Sequence, residues 1–313
     1  CRHLIIFDIC ENGLFELGNE LKRHYPDQRF TAVVGSVRDA ARLSSVVSKF
    51  RLQIVLHAAA HKHVPMMQGN PIEAIKNNIF GTNNVIHVCV ENQVEKFILI
   101  STDKAVNPVN VMGATKRFAE ILMQTYSSEQ TEMAAVRFGN VLGSAGSVIP
   151  VFVRQIAEGG PVTVTHKDIE RYFMTIPEAV SLVLQTGALA KSGGIFVLDM
   201  GEPVKIYDLA CDLIKLSGLR PHTDIDVNIT GLRPGEKLYE ELRFEMEDFD
   251  TTSHKKIFVC RAEKPNAVQV ERDLNILQDM LDEEDEEAVG HTLLDIVKSY
   301  VPDGGMEPQR EII

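Results

Sequence analysis

Short runs of Val, Ile, Leu and Phe, each closed by a polar or turn residue, recur through the first 140 positions of the chain. Their apolar character is continuous, not alternating, which is typical of strands buried on both faces of a parallel sheet. Between them lie segments whose apolar residues recur at helical spacing. The pattern predicts strands at 3–8, 29–34, 53–57, 97–101 and 134–138, and helices at 12–24, 71–91 and 113–126.

This alternation of strands and helices predicts an α/β fold with a doubly wound parallel sheet, that is, a Rossmann-like domain. A helix at 177–189 and a strand at 195–199 extend the sheet. The stretch 143–171 is predicted as loops and short elements that contribute to the substrate side.

Charged residues become more frequent after Gly201, where a helix at 206–218 and a strand at 225–230 predict a smaller α+β domain. We therefore place one domain at 1–200 and a second, substrate-binding domain with an acidic C-terminal tail at 201–313. The acidic run at 282–287 is interpreted as a solvated helix end or loop, because like charges repel one another and stay hydrated. A partner-binding segment is the less favoured alternative.

Composition narrows the classes of protein that fit. The 313 residues include 32 Lys and Arg against 44 Asp and Glu, a formal net charge of −12. That balance argues against a protein that binds nucleic acid through a basic face. No apolar run approaches the roughly 18 residues typical of a membrane-spanning helix. The five cysteines form no Cys-x-x-Cys pair, so we expect a reducing, cytoplasmic setting and no disulfide framework.

Ligands of open α/β sheets bind beyond the carboxyl ends of the strands. Asp8 ends the first predicted strand, where a carboxylate can accept hydrogen bonds from the ribose hydroxyls of NAD. Capping of the following helix is an equally open interpretation of Asp8. A glycine-rich phosphate loop belongs roughly 20 residues before such an aspartate, and only seven residues precede it. We therefore expect the first strand and the glycine loop to lie before Cys1.

Two features follow the third predicted strand. Ala58, Ala59 and Ala60 leave the backbone bare, so that a flat ring or a ribose can approach closely; tight packing of strand on helix explains them equally well. Three histidines lie within 57–63, but no carboxylate or cysteine accompanies them. We therefore predict no metal site.

A hydroxyl, an acid and a base stand side by side in Thr102, Asp103 and Lys104, directly after the fourth predicted strand. Met112 and Lys116 lie four residues apart and so share one face of the next helix. These five residues are candidate catalytic groups. Spacing alone leaves open the alternative that Asp103 and Lys104 form a surface ion pair and that Lys116 is a solvated helical lysine.

An ordered set of segments resembles the extended short-chain dehydrogenase/reductases and, within that family, the UDP-N-acetylglucosamine 4,6-dehydratases of bacterial polysaccharide biosynthesis. The similarity runs from His3 to about Arg261, and so many matches in order make chance a poor explanation. The segments are LIIFD at 4–8, HAAAHKHVPM at 57–66, STDKAVNP at 101–108, MGATK at 112–116, RFGNVLG at 137–143, RYFMTIP at 171–177 and GLRPGEK at 231–237.

The resemblance implies a three-step reaction with a tightly held NAD. Hydride leaves C4 of the sugar, water is lost across C5 and C6, and the same hydride returns to C6, giving a UDP-4-keto-6-deoxy sugar. A C4 ketone acidifies the C5 proton, which then needs only a modest base, whereas the C6 hydroxyl leaves well only when an acid protonates it. By this resemblance Asp103 is the acid at C6, Lys104 is the base at C5, and Thr102 binds the 4-hydroxyl.

Further roles are implied by matching positions. Lys116 matches the lysine that bonds the nicotinamide ribose. Asn140 and Arg233 match groups that hold the UDP diphosphate, and arginine suits a bidentate grip on phosphate. Lys62 and His63 match residues that line the sugar side.

The sequence departs from the family pattern at two positions. Met112 stands where most relatives carry the tyrosine of Tyr-x-x-x-Lys, and a thioether cannot carry a proton. Ser36, followed by Val37 on the adenine side, replaces an aspartate that holds the adenine amino group. Arg171 remains equally open between binding the ligand and packing against the acidic domain.

The methionine at 112 resembles one branch of these dehydratases, whose members often lie behind membrane helices and an extra N-terminal domain. The resemblance therefore implies membrane anchoring through a region outside this chain. It also implies a homo-oligomer.

Two other functions compete with the dehydratase. A nucleotide-sugar 4-epimerase needs the oxidation step but no acid and base to eliminate water, so the adjacent Asp103 and Lys104 favour the dehydratase. A non-catalytic module that binds NAD or a nucleotide sugar is the third hypothesis, since Met112 replaces an acid–base residue.

Overall fold

The computed structural model describes residues 1–144, 146–191, 193–244, 249–260, 264–283 and 285–300. Its strands are β1 (Leu4–Asp8), β2 (Phe30–Val34), β3 (Ile54–His57), β4 (Lys96–Ile100), β5 (Glu132–Arg137), β6 (Asn140–Val141), β7 (Val162–Val164), β8 (Glu170–Arg171), β9 (Phe173–Met174), β10 (Gly194–Leu198), β11 (Val204–Lys205), β12 (Val227–Ile229), β13 (Phe249–Thr251) and β14 (Ile257–Cys260). Its α-helices are α1 (Glu11–His24), α2 (Ala40–Phe50), α3 (Val64–Gln68), α4 (Pro71–Ala74), α5 (Gly81–Glu91), α6 (Val111–Tyr126), α7 (Val148–Ala157), α8 (Ile176–Leu189), α9 (Ile206–Leu216), α10 (Ala267–Asp279) and α11 (Glu286–Lys298).

The main sheet has six strands in the order β13-β14-β10-β5-β4-β3. Strands β3, β4, β5 and β10 are parallel, and β14 adds to β10 in the antiparallel direction. Strands β1 and β2 form a separate parallel pair. The predicted doubly wound α/β fold is confirmed, because the predicted apolar runs are these parallel strands and α-helices connect them.

Strands β1 and β3 each keep one unpaired edge among the described residues, since β1 pairs with β2 and β3 pairs with β4. One face of β3 is also open: Ile54 and Leu56 are 58% and 48% exposed. Strands of a parallel sheet are ordinarily covered on both faces.

The predicted boundary at residue 200 does not coincide with a break in the main sheet. Strand β14 pairs with β10, and α10 and α11 contribute buried Leu277 and Leu293 to the same core as α6. A smaller core forms between α7, α9, β7 and β12, with Phe152 and Ile214 at its centre. Helix α7 lies where the sequence predicted only loops and short elements.

Helices α10 and α11 cover α6, whose residues Val111–Thr125 are all buried. The hydroxyl of Tyr126 donates to Glu271, and a Cβ on Gly290 of α11 would lie 3.3 Å from Val111. The acidic segment is solvated as predicted: its described residues 282, 283 and 285–287 are exposed. No helix within the described part of the chain is both long and apolar enough to cross a bilayer.

Candidate active site

A cleft of about 370 Å³ opens at the carboxyl ends of β3, β4 and β5. Its wall brings together predicted residues from four separate stretches of the chain. They are Ala58, Ala60, Lys62, His63, Thr102, Lys104, Met112, Lys116 and Asn140. The rule that ligands bind beyond the strand ends therefore selected residues that lie on one surface.

Asp103 and Lys104 meet in a 3₁₀ turn directly after β4. The Nζ atom of Lys104 lies 3.0 Å from Oδ1 of Asp103 and donates to Oδ1 of Asn140 at 3.3 Å. The hydroxyl of Thr102 donates to the same Asp103 oxygen at 2.7 Å. The side chain of Asp103 is 0% exposed and that of Lys104 is 16% exposed, so the interpretation as a surface ion pair is wrong.

The second carboxylate oxygen of Asp103, Oδ2, is buried and has no hydrogen-bond partner among the described residues. A Cβ on Gly139 would lie 3.3 Å from it. An oxygen buried without a donor is costly. This oxygen is therefore the free side of the acid–base pair.

Helix α6 brings Met112 and Lys116 to the same cleft. Asn110 caps the helix, since its Oδ1 accepts from the N–H of Gly113 at 2.7 Å. A Cβ on Gly113 would lie only 2.2 Å from the carbonyl oxygen of Lys104. Only glycine permits this approach, which presses the start of α6 against the turn Asp103–Ala105, here called the acid–base turn.

Lys116 is buried, not solvated as one interpretation allowed. Burial lowers its pKa to about 8, although the Glu120 carboxylate one turn along the helix acts in the opposite direction. The side chain of Met112 is also buried. The cleft thus contains a thioether and a largely charged ammonium on one helical face.

Asn78, which the sequence analysis missed, positions the wall that contains Ala58 and Ala60. It lies in a π-helical turn, Ile75–Phe80, between α4 and α5. Its side chain accepts from the N–H of His61 at 2.8 Å and donates to the carbonyl of His61 at 3.0 Å. It also donates to the hydroxyl of Thr115 at 3.0 Å. The signal in the sequence was that Asn77 and Asn78 interrupt the apolar pattern of the helix predicted at 71–91. The structure shows that this point is a π-turn, which often marks a functional site.

His57 shares a hydrogen bond of 2.9 Å with the hydroxyl of Thr82. Burial lowers the pKa of His57 to about 3, and the nearby charge of Lys116 adds to this. His57 is therefore a neutral core residue. Within the described residues no three His, Cys, Asp or Glu side chains group as metal ligands would.

A buried ion cluster around Glu120, also missed by the sequence analysis, lies behind the site. Oε1 of Glu120 accepts from Ser101 at 2.7 Å and from Nε of Arg137 at 2.8 Å. Oε2 accepts from Arg137 at 2.8 Å and from Arg117 at 3.0 Å. Burial alone would raise the pKa of Glu120, but the two arginines and Ser101 bring it to about 2. The cluster ties α6 to the strand ends that carry Thr102 and Asn140.

Asp8, Ser36 and Val37 lie at the ends of β1 and β2, outside the residues that line the cleft. The carboxylate of Asp8 is exposed and accepts from the N–H of Cys10 at 2.8 Å. Cys10, not Asp8, is the N-cap of α1, so the capping interpretation of Asp8 is wrong.

The hydroxyl of Ser36 accepts from the N–H of Arg38 at 3.2 Å, which places it in a turn. The side chain of Val37 belongs to the core and contacts the position of Gly81. Its side chain therefore does not face a ligand. Ala59 likewise is not among the residues that line the cleft.

Arg171 and Arg233 have different environments. Arg171 is 7% exposed and donates to the carbonyl oxygens of Glu170, Lys237 and Leu238 at 2.7, 2.8 and 3.2 Å. The packing interpretation of Arg171 is therefore favoured. Arg233 is exposed at the tip of the turn that Arg171 supports, so its guanidinium is open to a ligand.

Comparisons with known proteins cover most of the chain. The family described as "Polysaccharide biosynthesis protein" matches residues 1–262. The capsular polysaccharide biosynthesis protein CapD of Staphylococcus aureus is 51% identical over 89% of this chain, which spans 46% of CapD. The UDP-N-acetylglucosamine 4,6-dehydratase (inverting) of Campylobacter jejuni serotype O:2 is 37% identical over 82% of this chain and 76% of that enzyme.

Among solved structures, the X-ray structure of Pen from Bacillus thuringiensis superposes with a TM-score of 0.76 at 32% identity. The superposition covers 90% of this chain and 91% of Pen. Sequence and fold thus agree over most of the chain, which belongs to the polysaccharide biosynthesis protein family.

Proposed function

We propose that the protein is an NAD-dependent nucleotide-sugar 4,6-dehydratase, which converts UDP-N-acetylglucosamine to a UDP-4-keto-6-deoxy sugar in polysaccharide biosynthesis. The observation that carries the proposal is the contact of 3.0 Å between the buried Asp103 and Lys104, which lines the cleft. Elimination of water needs an acid and a base beside each other. The similarity to the Campylobacter dehydratase supports this interpretation.

The residues present suit a nicotinamide cofactor. Ala58 and Ala60 offer bare backbone on one wall of the cleft, and Lys116 lines the same cleft with an ammonium group. The exposed carboxylate of Asp8 ends a parallel strand, where it can accept hydrogen bonds from a ribose. When bound, NAD would take up a hydride and return it.

The division of roles follows from the surroundings of each group. Asp103, whose free oxygen Oδ2 has no donor among the described residues, is suited to hold a proton and deliver it to the C6 hydroxyl. Lys104 removes the C5 proton once C4 is a ketone, because the carbonyl stabilises the charge left on C5, and it returns a proton to C5 when the hydride is added at C6. Thr102 lies beside both and binds the 4-hydroxyl.

The buried Met112 cannot take the proton of the 4-hydroxyl, since a thioether has no proton-accepting capacity at neutral pH. Removal of the 4-hydroxyl proton during the oxidation step therefore depends on the polar groups around Met112. Lys116 contributes positive charge beside the developing oxyanion.

The two other hypotheses fit the site less well. A 4-epimerase does not eliminate water, so it does not need a buried acid in contact with a lysine. A module that only binds its ligand does not need this pair either, and desolvating Asp103 costs free energy. Both nevertheless predict a distinct experimental result.

The test is incubation of the protein, as its full gene encodes it, with UDP-N-acetylglucosamine and NAD, followed by NMR. We expect resonances of a 4-keto-6-deoxy sugar to appear with wild type and not with Asp103→Asn. Formation of the C4 epimer instead would establish the epimerase. Saturable binding without turnover would establish the binding module.

A further inference from the structure

Glu240 is a buried carboxyl that faces the acid–base pair from the other half of the chain. Its side chain is 4% exposed. Oε1 lies 3.9 Å from Nζ of Lys104 and 3.7 Å from Nη2 of Arg171. Oε2 is buried without a hydrogen-bond partner among the residues described. A carboxyl in such a position is costly unless it has a function.

Glu240 belongs to a segment, Gly235–Glu241, that runs along the loop Asp103–Asn110 and is here called the brace. Asn110 donates to the carbonyl of Gly235 at 2.8 Å. Lys237 donates to the carbonyl of Val106 at 3.1 Å. These contacts hold the brace against the acid–base turn, so the position of Glu240 relative to Lys104 is fixed by the fold.

Four charged groups face Glu240: Lys104, Asp103, Arg171 and Lys237. Burial raises the pKa of Glu240, and Asp103 acts in the same direction, while the three cations oppose it. Proton uptake by this carboxyl would remove a negative charge from beside Lys104.

Pairing with Arg171 does not by itself account for Glu240. Arg171 already donates to three backbone carbonyls, and Glu236 lies as near to it as Glu240 does, at 3.7 Å. Lys104, by contrast, has Asp103 and Asn140 within hydrogen-bond distance. Glu240 supplies the third oxygen around its ammonium.

We propose that Glu240 is a positioning residue for Lys104: its carboxylate holds the lysine against Asp103 and its charge sets the pH at which Lys104 becomes a base. The second half of this statement rests on the proposed function, in which Lys104 removes the C5 proton. The first half, that Glu240 holds Lys104 against Asp103, does not depend on the reaction that the protein catalyses.

The test compares Glu240→Gln with Glu241→Gln. Glu241 is the next residue of the brace and pairs with Lys237 at 2.9 Å, so its replacement removes one carboxylate from the same segment. The Lys104 side chain is followed by NMR with carbon-13 at Cε, and its resonance is assigned with Lys104→Ala. We expect Lys104 to lose its proton about 1 pH unit or more lower in Glu240→Gln, because a nearby anion stabilises an ammonium. Glu241→Gln should leave that midpoint unchanged.

The pH profile of turnover gives a second reading. Its acidic limb should move to lower pH in Glu240→Gln, whereas a merely structural role would lower the rate without moving the limb. Glu240→Asp keeps the negative charge and should therefore keep the Lys104 midpoint of the wild type. This variant shows whether an effect of Glu240→Gln comes from the lost charge or from misfolding.

An unchanged Lys104 midpoint in Glu240→Gln would overturn the proposal. A shifted midpoint in a protein that does not dehydrate UDP-N-acetylglucosamine would uphold the role of Glu240 and refute the proposed function.

Discussion

The ammonium of Lys104 lies 3.0 Å from a carboxylate oxygen of Asp103, its neighbour in sequence. Adjacent residues of a helix do not face one another. The two residues lie in a 3₁₀ turn, Asp103–Ala105, and Oδ1 of Asp103 accepts from the backbone N–H of Lys104 at 2.9 Å. The long side chain of Lys104 folds back onto the same oxygen. The turn thereby holds an acid and a base together before any substrate arrives.

We predict that Asp103→Asn and Lys104→Ala each abolish dehydration, by a factor of about 100 or more, because each removes one of the two proton-transfer groups. The measurement is the rate of 4-keto product formation by NMR. Circular dichroism should show an intact fold for both variants, since the turn lies beyond the sheet. Turnover at the wild-type rate in both variants would refute the assignment of this pair.

Arg233→Ala should raise KM for the UDP-sugar more than it lowers kcat. Contacts to a diphosphate are made equally in the ground and transition states. Steady-state kinetics measure both constants. Arg220→Ala is a suitable control, because Arg220 is also exposed but pairs with Asp224 at 2.9 Å. A KM equal to that of wild type would indicate another phosphate-binding group.

Glu120→Gln should destabilise the fold by about 3 to 5 kcal/mol, since it removes the buried carboxylate that accepts hydrogen bonds from Arg117 and Arg137. Urea denaturation measures the free energy of unfolding. Glu178→Gln, which removes the partner of Lys256 at the surface, should cost about 1 kcal/mol or less. Equal effects of the two substitutions would contradict the structural role of the cluster.

The same cluster predicts a pH dependence. The pKa of Glu120 is lowered from 4.5 to about 2 in the folded protein. Its charge therefore stabilises the fold at pH values above 4.5, and this stabilisation is lost as the pH falls from 4.5 towards 2. The part of the acid-induced loss that Glu120 causes, about 3 kcal/mol, should be missing from the denaturation curves of Glu120→Gln.

Gly113→Ala should reduce both activity and stability. The added Cβ would lie 2.2 Å from the backbone oxygen of Lys104, so either α6 or the acid–base turn must move. Gly187→Ala in α8 is the matched control, because its Cβ would make only an ordinary contact of 3.7 Å with Ile98. We expect the control to be neutral or up to about 1 kcal/mol more stable, since alanine favours helices. Thermal denaturation and product formation check both variants.

The local pattern of apolar and polar residues determined much of the fold of this protein. The apolar runs that became β1 to β5 and β10 were visible in the sequence because they show no polar alternation, as is typical of parallel strands, although one face of β3 is open. The candidate residues after those runs were visible for a related reason, since parallel strands deliver their carboxyl ends to one edge of the sheet. Helix α7 was not predicted, because its amphipathic pattern lies among glycines and short strands that indicate loops.

Only the tertiary structure decided which polar residues are buried and what they contact. From spacing alone, a surface ion pair explained Asp103 and Lys104 equally well. In the structure, α6 and the brace pack against the turn that contains them. Glu240 and Lys104 are 136 positions apart, and Glu271 and Tyr126 are 145 apart. No periodicity links such residues, because their contact depends on how whole helices and strands pack. Sequence alone therefore predicted which residues carry the chemistry, and packing placed Glu240 beside Lys104.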